Sequence, residues 1–153
     1  MKSWVLFGAA MLTAVAAGAW WMSGEKISFA GKSASMPDLA AGAEIYAQAC
    51  ASCHGANLEG QSDWKTPNPN GRLPAPPHDA SGHTWHHPDR LLLDITMRGT
   101  AAVVGGGYES DMPGFAEHYS EAELRDVLAW IKSQWPERER TYQAQITAQD
   151  EAQ

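Results

Sequence analysis

Residues 50–54 read Cys-Ala-Ser-Cys-His, and they contain both cysteines of this 153-residue chain. Two cysteines are too few for a disulfide-dense scaffold, and a zinc site would need further ligands from other histidines. A thioredoxin-type Cys-x-x-Cys pair is expected in a βαβ setting, which the flanking sequence does not indicate. A plain disulfide would leave the adjacent His54 unexplained. We therefore interpret the two cysteines and the histidine as one functional unit.

This spacing is the attachment motif of c-type haem. Each thiol forms a thioether bond to one haem vinyl group, and the two intervening residues let both sulfurs reach neighbouring pyrroles. The imidazole that follows then lies under the iron as its proximal ligand. The sequence therefore predicts one covalent haem c, with its iron, held by Cys50, Cys53 and His54.

The best candidate for the sixth iron ligand is Met112, which stands 58 residues after His54 in the segment Ser-Asp-Met-Pro-Gly-Phe at 110–115. The Pro-Gly pair favours a turn that can hold the thioether toward the iron. A thioether ligand raises the reduction potential relative to a second imidazole. The competing candidate is Met97, but its helical spacing places it beside a packed face, so we interpret it as a core filler, the usual role of a lone methionine.

Three segments show the spacing of apolar residues that is typical of helices. The first begins at a capping Asp38 and runs into Cys50. The second has Pro88 in its first turn and is stopped by Gly99. The third opens with a capping box, Ser120 followed three residues later by a glutamate, and ends before a proline. The predicted inward side chains are Leu39, Ala43, Tyr46 and Ala47, then Leu91, Leu92, Ile95 and Met97, then Leu124, Val127, Leu128 and Ile131.

The intervening segments 55–84 and 101–115 are rich in residues that favour turns, which predicts loops. No segment alternates polar and apolar residues with a period of two for long. The predicted fold class is therefore all-α, with three to four helices packed around one haem. The haem would fill part of a core that a domain of about 100 residues supplies only modestly.

The N-terminus has the features of an export segment. Lys2 precedes an uncharged run at 3–23, close to the ~20 residues that cross a bilayer, and a Trp pair at 20–21 suits the membrane interface. A cleaved signal is the alternative, since small residues at 17–19 suit a cleavage site. Both interpretations place the domain on the periplasmic side of the cytoplasmic membrane. The predicted divisions are an anchor or signal at 1–22, a linker at 23–36, the haem domain at 37–135 and a polar C-terminal tail at 136–153.

The composition excludes two broad classes of protein. The chain has 18 acidic and 11 basic residues and a formal charge of −7. Because phosphate contact needs a basic face, no nucleic-acid partner is expected. The chain also lacks the composition of a disordered protein, since 44% of its residues are hydrophobic and seven are tryptophan.

Four histidines lie within ten residues between the haem motif and the second helix. The simplest interpretation is a polar loop near the haem edge, in which one imidazole packs on the domain or caps a helix. A second metal site is the alternative, but Pro88 starts the helix too late to present an i, i+4 pair on it. One of these imidazoles also competes with Met112 for the sixth position. They are His78, His83, His86 and His87.

From Asp38 to about Trp135 the chain resembles the monohaem class I cytochrome c family, in its haem motif, its Met112 loop and its two terminal helices. The resemblance implies that these helices cross through a small residue and aromatics, and that a carbonyl of Pro74 or Pro76 holds the proximal imidazole. A long proline-rich stretch and the lack of a lysine ring differ from the family. The crossing positions are Gly42, Tyr46, Val127 and Trp130; the surroundings of the loop are Glu109, Asp111, Glu117 and His118.

These features predict a one-electron carrier, since both axial positions would be filled and no substrate could reach the iron. Its expected partners are redox proteins, such as a membrane oxidase or reductase near the N-terminal helix. The alternative is a haem enzyme or gas sensor of peroxidase type, with a displaceable sixth ligand and a distal His83, His86 or His118. A haem subunit of a larger oxidoreductase complex would perform the same electron transfer.

Overall fold

The structure, a computed structural model, describes residues 36–153. The predicted anchor or signal at 1–22 and nearly all of the linker at 23–36 lie outside the described residues. Within the described part of the chain, no helix is long and apolar enough to cross a membrane.

The described residues form helices and connecting loops, with no strand and a single isolated bridge between Gly99 and Pro113. The predicted all-α class is therefore confirmed. A π-helical turn at Tyr46–Cys50 joins the first two α-helices, and a 3-10 turn at Thr84–His86 precedes the third. The α-helices are α1 (Leu39–Ile45), α2 (Ala51–His54), α3 (Asp89–Arg98), α4 (Thr100–Val104), α5 (Glu121–Ser133) and α6 (Glu137–Glu151).

The first predicted helix begins where its cap was expected. Asp38 Oδ1 accepts hydrogen bonds from the backbone N–H groups of Ala40 and Ala41, at 3.1 and 3.0 Å. The helical path continues past Cys50, through the π turn and α2, and stops at Gly55, whose φ is +83°. A glycine suits this position because side chains disfavour a positive φ.

Helices α1 and α5 cross in close backbone contact. A Cβ atom at Gly42 would lie 2.2 Å from the backbone oxygen of Asp126, so only a glycine fits there. Asp126 Oδ1 also accepts a hydrogen bond from the backbone N–H of Asp38 at 2.9 Å. One turn along, the rings of Tyr46 and Trp130 pack with centroids 4.7 Å apart. The crossing thus has the small residue and aromatics that the resemblance implies.

Helix α3 ends before Gly99, as predicted, but Pro88, which was predicted in its first turn, is its N-cap residue. Its buried face differs in part, because Leu92, Leu93 and Thr96 are buried while the predicted Leu91, Ile95 and Met97 are only half-buried. Three successive leucines leave the facing side undetermined from the apolar pattern. A threonine is tolerated inside because its hydroxyl donates to the Leu92 carbonyl at 2.7 Å.

The predicted loop at 101–115 is wrong in its first four residues, which belong to α4. Glycines with positive φ, Gly99 and Gly105, bound this short helix on both sides. Its side chains gave no helical signal because none of them is buried; Val104 is 57% exposed.

Helix α5 follows its local sequence signals. Both hydrogen bonds of the predicted capping box between Ser120 and Glu123 are present. Leu124, Val127 and Ile131 are buried against the rest of the domain, and the helix ends ahead of the proline. The prediction for this helix is confirmed, although Leu128 is only half-buried.

The C-terminal segment, predicted as a polar extension or tail, forms α6 and packs back on the 3-10 turn and on α3. Gln143 is 1% exposed, and its Nε2 lies 2.5 Å from Asp89 Oδ1. Lys132 of α5 binds the same carboxylate at 2.7 Å, so one aspartate joins three helices. At the far end, Arg90 makes a bidentate ion pair with Asp150.

Candidate functional site

The motif residues lie on one continuous helical stretch. Cys50 ends the π-helical turn, while Cys53 and His54 belong to α2. The two thiols form no disulfide; Cys50 is half-buried and Cys53 is exposed. Burial, with a smaller effect of the neighbouring Cys53, raises the pKa of the Cys50 thiol to about 11. The structure therefore brings two thiols and one imidazole together within a little more than one helical turn.

The ring of His54 is buried and oriented by one hydrogen bond. Its Nδ1 lies 2.8 Å from the carbonyl oxygen of Pro76. A carbonyl only accepts, so Nδ1 carries the hydrogen and Nε2 keeps its lone pair. Burial lowers the pKa of this imidazole, outweighing the opposite effect of the Pro76 hydrogen bond, so the ring is neutral at pH 7. Of the two prolines left open by the sequence, the bond is made by Pro76 and not Pro74.

The end of the motif helix is fixed from two sides. The Tyr46 hydroxyl donates to the Gly55 carbonyl at 2.7 Å, and the Gly60 N–H donates to the His54 carbonyl at 2.7 Å. Burial raises the pKa of the Tyr46 phenol, which therefore remains a donor at any physiological pH. These bonds hold the backbone on both sides of the imidazole.

A second imidazole, His78, lies against the first. Its ring stacks on that of His54 with centroids 3.9 Å apart and planes 21° apart. Burial lowers the pKa of His78 to about 3, so this ring is neutral as well. In the sequence, His78 looks like one of the four loop histidines, and this contact was not predicted. Its position two residues after Pro76 is the one signal for it.

Met112 lies on a different element from the motif, in the loop before α5. This loop is attached to the end of α3: Phe115 N–H donates to Thr96 at 3.0 Å, and a Cβ at Gly114 would lie 2.5 Å from the Met97 oxygen. Met112 itself is half-buried, and its N–H donates to the Ser110 hydroxyl at 3.1 Å. The predicted Pro-Gly turn is not formed: Pro113 instead bridges to Gly99 at the end of α3, and the turn residues follow at 116–118. The methionine loop is nevertheless supported on α3.

Arg72 connects the proline-rich stretch to the methionine loop. Its guanidinium donates to Asp111 and lies 3.6 Å from Glu109. The hydrogen bond with Asp111 is the main cause that raises the pKa of Arg72. The sequence indicated an acidic loop, but it did not indicate that a basic residue some 40 positions earlier partly neutralises it.

The other loop histidines pack on aromatic rings. His83 stacks on Trp64 with centroids 5.2 Å apart, and His86 stacks on Trp85 at 3.7 Å. His87 contacts the edge of His83 at 5.3 Å. Among residues 36–153, no group of three or more His, Cys, Asp or Glu side chains is arranged to hold a metal ion. These contacts favour the interpretation in which the histidines pack.

The donor set fits a c-type haem. Two unpaired thiols have the spacing that the vinyl groups of a haem would need. The imidazole has its Nδ1 engaged, while Nε2, the atom that would ligate iron, remains available. A neutral, buried imidazole with an engaged Nδ1 is the arrangement that metal-ligating histidines commonly have.

Comparison with known families gives one result. The family described as Cytochrome c matches residues 39–135, which is more than half of the chain and ends before α6. Searches of the curated proteins and of the solved structures each returned no match.

Proposed function

Because the chain belongs to the cytochrome c family, we propose that it is a one-electron carrier in which Cys50 and Cys53 hold the haem and His54 and Met112 are its axial ligands. The family implies covalent haem c and an electron carrier rather than an enzyme. The haem supplies one-electron exchange between Fe(III) and Fe(II). The observation that carries the proposal is the 2.8 Å bond from His54 Nδ1 to the Pro76 carbonyl, which leaves Nε2 for iron.

On the proximal side, the protein holds one ligand in one tautomer. The carbonyl of Pro76 orients the His54 ring and makes Nε2 more electron-rich, which strengthens its bond to a metal. The bonds of Tyr46 and Gly60 keep the backbone of the motif in place. Little rearrangement is then needed when the oxidation state changes.

On the distal side, the Met112 loop is fastened to α3 by the Gly99–Pro113 bridge and by the Phe115 hydrogen bond. A thioether is a soft ligand that favours Fe(II) and so raises the reduction potential. With Met112 at the sixth position, small molecules would be kept from the iron, as an electron carrier requires.

Substitution of Met112 tests the axial ligation. In the haem-loaded protein, Met112→Ala is expected to abolish the weak far-red absorption band of a methionine–Fe(III) bond and to lower the reduction potential. The matched control is Met97→Leu, a half-buried methionine at the end of α3, which is expected to keep both. A Met112→Ala protein with an unchanged band and potential would overturn the assignment.

Carbon monoxide distinguishes a carrier from a haem enzyme or gas sensor. We expect the reduced wild-type protein to bind carbon monoxide slowly and weakly, and the Met112→Ala protein to bind it fast. Fast, tight binding by the wild-type protein would favour the enzyme or sensor, since these need a sixth position that is open or easily vacated. His83 and His86, two of the candidate distal groups of such an enzyme, are stacked on tryptophan rings, which supports the carrier.

The charge of the domain supports a partner with a basic docking surface. Residues 36–153 contain 17 acidic and 8 basic residues, a formal charge of −9. Glu109, Asp111 and Glu117 are exposed on or near the methionine loop. Opposite charges raise association rates and salt screens them, so electron-transfer rates with the redox partner are expected to fall as ionic strength rises. A rate that is independent of salt would contradict a basic partner surface.

Residues 1–22 would keep this carrier on the periplasmic side of the cytoplasmic membrane, near a membrane oxidase or reductase. The support is the apolar run after Lys2 with its interfacial tryptophans. Anchoring raises the effective concentration of the carrier at its partner. Membrane fractionation of the full-length chain, before and after a high-salt wash, tests this: an anchored protein stays with the membrane, and recovery in the cytoplasmic fraction would contradict export.

A further inference from the structure

The hydrogen bond to Pro76 restrains the His54 ring at one atom only. The terminal torsion of a histidine has a broad energy profile, so a single bond leaves the tilt of the imidazole plane incompletely fixed. A second contact is needed to fix the plane of the imidazole. A contact over the face of the ring restrains its tilt directly. The structure has such a contact in His78, whose ring covers one face of His54 at a centroid distance of 3.9 Å.

The His78 ring is itself fixed by its surroundings. Its Nδ1 lies 2.8 Å from the hydroxyl of Thr84, a residue that is only 6% exposed. Its backbone N–H donates to the Leu58 carbonyl at 2.8 Å, and its carbonyl accepts from Trp135 Nε1 at 2.6 Å. The backbone and the ring of His78 are therefore held by separate hydrogen bonds, so the orientation of this side chain is fixed.

We propose that His78 is a positioning residue, which sets the plane of the proximal imidazole by stacking on it and thereby tunes the reduction potential. This inference rests on the proposed function only in taking His54 as the proximal ligand. The orientation of an axial imidazole and the polarity around it are two of the means by which a protein sets the potential of a haem. His78 serves both, because its ring also excludes water from that side of His54.

The test uses the haem-loaded protein and two readouts, the reduction potential and the electron paramagnetic resonance g-values of the ferric form, which respond to the ligand plane. His78→Ala removes the ring that stacks on His54. We expect the g-values to broaden and shift, and we expect the reduction potential to fall because water beside the ligand favours Fe(III). His78→Phe restores a planar ring without the hydrogen bond to Thr84 and is expected to return both readouts most of the way. A role in folding alone would not give this pattern.

Two further variants keep the test decisive. Thr84→Val preserves the shape of the support but removes its bond to His78, and we expect a smaller change in the g-values in the same direction. His87→Ala is the control, since this loop imidazole contacts His83 and not His54; both readouts are expected to stay as in the wild type. Should His78→Ala fail to fold, Thr84→Val takes its place, and wild-type g-values in that variant alone would then overturn the positioning role.

The outcomes separate the two proposals. Wild-type g-values and potential in both His78→Ala and Thr84→Val would overturn the positioning role, even if Met112→Ala behaves as expected for a carrier. A wild-type protein without histidine ligation at the proximal position would overturn the proposed function itself. A change in His78→Ala that His78→Phe does not restore would also contradict stacking as the cause.

Discussion

Helices α5 and α6 are similar in length and adjacent in sequence, yet they are attached to the domain by different forces. Helix α5 buries an apolar stripe of Leu124, Val127 and Ile131. Helix α6 lacks such a stripe, and its most buried residues are the polar Gln143 and Glu139. An apolar stripe distributes its stabilisation over many small contacts. A polar attachment depends on a few directional bonds, each of which is costly to leave unmade in a buried place.

The comparison therefore indicates where single substitutions should matter. For α5, the most sensitive position is Gly42, where the backbones of α1 and α5 are too close for a side chain. On the α6 side, it is the side chain of Gln143, which reaches Asp89, the His87 carbonyl and the Thr147 hydroxyl.

The largest expected effect is that of Gly42→Val at the α1–α5 crossing. A Cβ at this position would lie 2.2 Å from Asp126 O, so the two backbones must separate, at a cost of about 3 kcal/mol or more. Urea denaturation of the haem-loaded protein measures the loss. The control is Ala40→Val, on an exposed position of α1, which is expected to cost much less. Equal losses in the two variants would contradict the steric limit.

Gln143→Ala is expected to have the next largest effect, a loss of about 2 kcal/mol, because it leaves the carbonyl of His87 without this donor and Asp89 with fewer partners. Gln145→Ala, on an exposed position of the same helix, is the matched control and should be nearly neutral. Hydrogen exchange resolved along the chain should show lost protection in α6 while α5 keeps its own. Uniform loss in both helices would mean that they unfold together.

Ser120→Ala tests how far α5 depends on its own start. The hydroxyl accepts from the Glu123 N–H, and its loss is expected to cost about 1 kcal/mol, as for helix caps in general. Since α6 begins at Pro136 without a side-chain cap, its protection from hydrogen exchange should not change. A larger effect on α6 than on α5 would show that the cap acts through the packing between them.

The smallest expected effect concerns pH. Burial lowers the pKa values of His83 and His87 below the ordinary value of 6.5, with further lowering by nearby His86 and, for His83, by Lys65. The unfolded chain then takes up protons first, so the free energy of unfolding should fall as the pH drops from about 7 to about 5. The double variant His83→Gln/His87→Gln should make this fall shallower without abolishing it, because burial also lowers the pKa of His78. The free energy of unfolding is measured by urea denaturation at each pH. If it falls with pH as steeply in the double variant as in the wild type, the assignment to these two histidines is contradicted.

The same contrast explains what the sequence could predict of the fold. The ends of α1, α3 and α5 carry local signals, namely Asp38, Pro88 with Gly99, and the Ser120 box, and the structure confirms all of them. The packing of α6 had no such signal, because polar residues that form buried hydrogen bonds look the same in sequence as polar residues in water. The buried face of α3 was ambiguous for the opposite reason, since its apolar residues surround most of the helix.

For the candidate site, the motif at 50–54 carries its chemistry locally, which is why its residues were identified at once. The partners of that motif come from distant parts of the chain. Choosing Pro76 over Pro74, or finding His78 on the face of His54, requires the path of the loop, which turn-forming residues do not determine. The roles of Cys50, Cys53, His54 and Met112 in binding haem remain predictions, and Met112→Ala tests the last of them.

The α1–α5 crossing also bears on the order of folding. Its contacts join Asp38 to Asp126, 88 residues apart, so they close nearly the whole domain into one loop. Such a long-range contact carries a large loop-closure entropy, and it needs both ends of the domain to be present. The chain is made from its N-terminus. Residues 50–54 are therefore synthesised long before α5, the helix that packs on α1. During that interval covalent attachment of haem to the two thiols can precede the closure of the domain by α5.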